Sequence, residues 1–190
     1  MSKVHIPVAY YQAPDKRLQA TQDKLFAALK QHFEAGEAFA SISVSALCQT
    51  AKIARQTYYQ HYDSIGEIIE VTVARVINSA LQKADQALDP SDEGAPLTVD
   101  LLLAHRDLIA MVRWAHAGDL IVAYLSREIR RVSSIEGTNI PMKGVMIDLL
   151  ARMYLAFADV VNEHPELSRS QLITIFQKML PVPAKIFRGL

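Results

Sequence analysis

The sequence predicts an all-α fold. Apolar residues recur at three-, four- and seven-residue spacings through most of the chain, the period of helices buried on one face. No run of alternating β-branched residues bounded by turn residues interrupts them. Residues that start or stop helices, Ser43, Ser168 and Gly36, stand at the ends of the periodic stretches.

Taken in order, residues 1–13 read as an extended arm. Pro14 precedes a first helix of about 15–35, whose stripe is Leu18, Leu25, Phe26, Leu29 and Phe33, and Gly36 ends it. A pair of short helices occupies 43–62. A long helix is expected over 64–88, and the DPSDEGAP stretch, 89–96, reads as a loop. Helical segments follow at 97–117 and 119–133, then a second loop at 133–141. A long helix fits 142–163, and Ser168 caps a last one over 168–180. Pro181 and Pro183 interrupt the C-terminal end. The expected division is residues 1–75 and 76–190, joined by the long helix.

Residues 43–62, SVSALCQTAKIARQTYYQHY, carry the chemistry. Ser43 suits an N-cap, because its hydroxyl accepts a first-turn N–H. Val44, Leu47, Cys48 and Ala51 fall on one face of a two-turn helix. Ala51-Lys52-Ile53 forms the turn, with Ile53 pointing to the core, and a second helix starts near Ala54. Tyr58 and Tyr62, four apart, face inward. Arg55, Gln56, Thr57, Tyr59 and His61 are left outside. This is a helix-turn-helix pattern, and the outward residue types suit double-stranded DNA. Arg pairs bidentately with guanine and Gln with adenine. Thr57 reaches a phosphate or a thymine methyl, while Tyr59 and His61 reach backbone oxygens that position the helix. Backbone N–H groups near Ser64 offer a further phosphate contact. The bland alternative is two amphipathic helices of an ordinary α-protein.

Bulk properties narrow the class. The 190 residues are 51% hydrophobic and carry no net charge, which disfavours non-specific coating of nucleic acid. Residues 1–65 hold seven Lys/Arg and five acids, making that third +2 and the remainder −2. No apolar run reaches the roughly 18–20 residues of a membrane span. Cys48 is alone, so no internal disulfide forms, and a soluble cytoplasmic protein is expected. His105-Arg106-Asp107-Leu108 copies the start of a kinase catalytic loop, but Val112 stands where that loop needs Asn. No metal-ligand spacing, P-loop or GxSxG is present, so no enzyme, metal or cofactor is expected.

The 43–62 stretch resembles the DNA-binding domain of the TetR family of transcriptional regulators. The matching residues are Ser43, Leu47-Cys48, Ala51-Lys52-Ile53-Ala54 and Tyr59-Gln60-His61-Tyr62. One helix before the motif and a long one after it match the order over residues 15–75, and beyond that the match is only in helical content and length. The resemblance implies DNA contacts from Ser43, Lys52, Arg55, Gln56, Thr57, Tyr59 and His61. Three departures stand out. Lys52 replaces the usual Gly, which costs on the order of 1 kcal/mol if φ is positive there. Ala54 replaces the usual Ser, so the second helix lacks a side-chain cap. Ile65-Gly66 replaces Lys-Glu, removing a lysine that would contact phosphate.

For residues 76–190 the resemblance implies an effector-binding and dimerising domain. Met111, Trp114, Tyr124 and His105 are the expected lining of a small-molecule effector site. His116 or Arg113 pointing inward would add a polar anchor, whereas Arg127, Arg130 and Arg131 form a basic patch of the kind that is most often a solvated helix face. Val145, Leu149, Met153, Phe157, Val160, Leu172, Ile175, Phe176 and Met179 would form a four-helix bundle across a two-fold axis. The expected protein is a homodimeric repressor on a palindromic operator, released by an effector. The alternative is a helical ligand-binding or scaffold protein that has lost DNA binding.

Overall fold

The computed structural model describes residues 16–86, 90–135 and 142–179, and among these every regular element is helical. The α-helices are α1 (Lys16–Glu34), α2 (Val44–Ala51), α3 (Arg55–Tyr59), α4 (Gly66–Gln86), α5 (Pro90–Ala104), α6 (Arg106–Trp114), α7 (Gly118–Ile135), α8 (Lys143–Glu163) and α9 (Arg169–Met179), with a short 3₁₀ turn at Phe39–Ser41. No described helix is long and apolar enough to cross a membrane. The expected arm at 1–13, most of the loop at 133–141, and Pro181 and Pro183 lie outside the described residues.

The sequence signals at the helix ends act locally. Gly36 takes φ +73° just beyond α1, a backbone region that favours glycine. Ser168 Oγ accepts the Gln171 N–H at 3.3 Å, and Gln171 Oε1 accepts the Ser168 N–H at 2.9 Å. That reciprocal pair is a capping box.

Two expectations are overturned. Residues 90–96 are helical, although DPSDEGAP reads as a loop. Pro90 stands at the first helical position, where a missing N–H costs nothing. Ala95 and Val99 are buried against Phe157, Val161, Leu172 and Phe176, so packing on α8 and α9 overrides the turn residues. Pro96 inside the helix removes one backbone hydrogen bond without ending it. The helix expected over 97–117 is instead divided: His105, at φ −125° and ψ 31°, separates α5 from α6.

The larger core joins α1 to α4 with α6 and α7. Leu25, Leu29, Leu47, Cys48, Tyr58, Tyr62, Ile68 and Ile69 share one buried cluster with Leu108, Met111, Val112 and Ile121. A smaller cluster unites α5, α8 and α9. Ion pairs tie the helices outside these cores: Arg75–Asp23 (2.6 Å) joins α4 to α1, Lys30–Asp107 (2.6 Å) joins α1 to α6, and Arg169–Asp100 (2.5 Å) joins α9 to α5. The buried carboxylate of Asp159 is held by both ends of the Arg113 guanidinium, linking α8 to α6.

The buried tyrosines give the fold an alkaline limit. Tyr58 is sealed from solvent, and its hydroxyl has no protein partner among the described residues. Burial pushes its pKa up to about 12, and burial raises Tyr62, Tyr124 and Tyr154 too. An unfolded tyrosine ionises near 10. Between those values the unfolded chain has lost a proton that the folded chain keeps. Stability is therefore intact below about pH 10 and falls as pH rises from there. Circular dichroism followed against pH should show alkaline unfolding, with the midpoint raised by Tyr58→Phe. An unchanged midpoint in that variant would contradict the assignment.

Candidate nucleic-acid interface

The helix pair at 43–62 is built from its ends. Ser43 adopts an extended backbone (φ −86°, ψ 151°), and its Oγ accepts the Ala46 N–H at 3.1 Å, which starts α2. The hydroxyl proton stays available to donate outward. Leu47, Cys48 and Ala51 bury the inner face of α2. Burial pushes the Cys48 thiol up, away from the reactive thiolate. Ile53 packs against the core as expected. Tyr58 and Tyr62 are buried, with ring centroids 5.6 Å apart.

Lys52 closes α2 in the left-handed region (φ 55°, ψ 46°), and its N–H donates to the carbonyls of Cys48 and Gln49. The strain anticipated for a non-glycine therefore applies. Lys52→Gly removes a Cβ clash worth about 1 kcal/mol, and glycine's freedom when unfolded offsets part of that gain. A higher urea midpoint is expected; a lower one would contradict the strain argument. Ala54 precedes α3 with no side-chain cap.

The structure leaves most of the expected contact residues at the surface. Lys52, Arg55, Gln56 and His61 are exposed, and Thr57 is half-buried. Tyr59 is 55% exposed and sits edge-on to Tyr58 at 5.2 Å, so the buried ring braces the outward one. Residues 43–62 contain no Asp or Glu, leaving Lys52 and Arg55 unopposed within the stretch.

The start of α4 departs from expectation. The Asp63 N–H donates to Glu67 Oε2 at 3.0 Å, and Ser64 Oγ donates to Glu67 Oε1 at 3.4 Å. A carboxylate thus occupies a position expected to receive phosphate. The signal was present as Ser-x-x-Glu, the spacing of a capping box. Gly66 lies beside Leu120 of α7, and a Cβ there would make only ordinary contact with it, at 3.4 Å.

The four expected effector residues do not meet. His105 lines a half-open groove of about 260 Å³ with Phe26, Lys30, Thr72, Val76, Ala104, Asp107 and Leu108, between α1, α4 and the α5–α6 junction. Met111 is fully buried in the larger core. Tyr124 is buried, its hydroxyl donates to the Ala74 carbonyl at 3.4 Å, and the Arg127 guanidinium lies 5.2 Å from its ring centre. Trp114 packs between Phe33 and Phe39. The apolar spacing could not separate core from pocket, because both use the same helical face.

The apolar residues expected at a two-fold axis also divide. Phe157, Leu172 and Phe176 are consumed by the chain's own core. Val145 and Leu149 stay exposed on α8, as does Met179 on α9; Met142, not among those expected, is exposed at the residue before α8.

No family model matches the chain, and neither does any curated protein. Among solved structures, the crystal structure of Lin0861 from Listeria innocua is similar, with 27% sequence identity and a TM-score of 0.83. The likeness covers 93% of this chain and 95% of that one. The chain is thus an all-α protein that shares its fold with the Listeria protein over nearly the full length of both.

Proposed function

We propose that this chain is a TetR-like transcriptional regulator, a repressor that binds a palindromic operator as a homodimer and is released by a small-molecule effector. The observation that carries the reading is the face made by Lys52, Arg55, Gln56, Tyr59 and His61. It is exposed, free of acids, and borne on a capped helix, a tight turn and a second helix. Frames of this kind lay the second helix in the major groove. In this reading α1 to α3 are the helix-turn-helix domain and α4 connects it to the helical remainder.

The exposed Met142, Val145 and Leu149 stripe supports self-association, since apolar rows on a helix surface are commonly covered by a partner. The groove lined by His105 supports an effector of modest size. The second reading, a helical protein that has lost DNA binding, is favoured by one observation. Glu67 places a carboxylate at the start of α4 where Ile65 has replaced a lysine.

Selection of bound fragments from genomic DNA separates the two. An enriched palindrome, without added effector, is the expected result. Its absence would favour the second reading. Light scattering at micromolar concentration should give a dimer, and a monomer would sink the two-fold arrangement.

A further inference from the structure

We propose that Trp114 and His32 are positioning residues through which α6 sets the posture of α2. The chain's single tryptophan is the last residue of α6. Its indole Nε1–H donates to the Glu37 carbonyl at 2.8 Å. Phe33 and Phe39 meet the indole edge-on, at 5.3 and 5.1 Å between ring centres. One side chain from α6 therefore holds the end of α1, the link after it and the 3₁₀ turn that leads into α2.

Glu37 passes the contact on. Its carboxylate Oε2 lies 3.0 Å from His32 Nδ1, and His32 Nε2 lies 3.3 Å from Thr50 Oγ1. Thr50 stands in the last turn of α2, where its single hydroxyl proton is shared between His32 Nε2 and the Ala46 carbonyl, 3.1 Å away. Two residues later comes Lys52, whose left-handed backbone directs the chain into α3. The contacts thus run Trp114, Glu37, His32, Thr50, from α6 to the hinge of the helix pair.

Two further facts give this chain of contacts leverage. Helix α2 has eight residues and buries only Leu47, Cys48 and Ala51, so apolar packing alone grips it along a narrow strip. The Lys30–Asp107 pair also joins α1 to α6, close to the His105 groove. The end of α1 cannot move away from α6 without breaking both ties. A displacement of α6 then reaches α2 without passing through α4. For its consequence, the inference rests on the DNA-binding reading: a shifted α6 would tilt the exposed Arg55–Tyr59 face. Its test does not.

Hydrogen exchange of the full chain, read by mass spectrometry without DNA, decides the matter. Trp114→Phe keeps an aromatic ring and removes the indole N–H. Losing one hydrogen bond of about 1 kcal/mol corresponds to roughly fivefold, so amides of 44–52 should exchange about five times faster. Those of α5 and α9 should not change. His32→Gln should act on the same segment, and the double variant should exceed neither single by much, because the chain of contacts is already broken. Glu37→Ala leaves its carbonyl in place, so α2 should loosen while Trp114 emission is unaltered. Unchanged exchange at 44–52 in both single variants would overturn the proposal. So would equal acceleration in every helix, or strictly additive effects. A chain that binds no operator would refute the regulator reading and leave this result standing.

Discussion

On the DNA-binding reading proposed above, Arg55→Ala is expected to flatten base preference at one operator position, whereas Tyr59→Phe should weaken all sites by a similar factor. The contrast follows from what each side chain reaches. Arg55 opens α3 and is exposed, with its guanidinium fork free to meet a base edge. A bidentate pair discriminates against the wrong base by about 1–3 kcal/mol, or about 5- to 150-fold. Tyr59 is held at a fixed angle by the buried Tyr58 ring, and its hydroxyl is suited to a phosphate oxygen. Removing that one hydrogen bond costs about 0.5–1.5 kcal/mol on every sequence alike. Binding-site selection with both variants reads the two patterns directly. The reverse pattern, with preference lost in Tyr59→Phe and kept in Arg55→Ala, would refute the roles.

Leu47→Ala should destabilise the whole chain by about 3 kcal/mol, within the 2–5 kcal/mol typical of emptied leucine sites. Leu47 is fully buried, in one cluster with Leu25, Leu29, Tyr58, Met111 and Ile121. Helices α1 and α3, which pack on α2, cannot fully close in on the space left behind. A lower urea midpoint with an unchanged slope is the expected observation. Because the cluster is continuous, Trp114 fluorescence and helical dichroism should report the same transition. A loss below about 1 kcal/mol, or two separated transitions, would contradict a shared core.

Local grammar was legible in the sequence, and long-range packing was not. Ser43 and Ser168 announced their helices because a cap works within three residues. The four-residue spacing of Tyr58 and Tyr62 turns both inward, and both are buried. The 90–96 segment misled because Pro, Asp and Gly describe only local preference. What decides its state is the burial of Ala95 and Val99 against helices some sixty to eighty positions away in sequence. His105 divides α5 from α6 in a stretch whose apolar pattern runs on unbroken. The role of Trp114 was hidden for the same reason. Its indole bonds to Glu37, 77 residues earlier, and nothing near position 114 points there. The exposed residues of the 43–62 pair were easier, since few elements compete to cover them.

The continuity of the larger core bears on how such proteins can be recombined. Ile121 and Val112 belong to the same buried cluster as Leu25 and Leu47. Residues 16–75 excised as a cassette would expose the faces that α6 and α7 now cover. A chimera that fuses this segment to a foreign partner must import a matching pair of helices with it. Exchange of parts between relatives should therefore fail when the cut falls inside α4, which parts α1 to α3 from α6 and α7; a cut after α7 fares no better, since it parts α7 from α8 and α5 from α8 and α9.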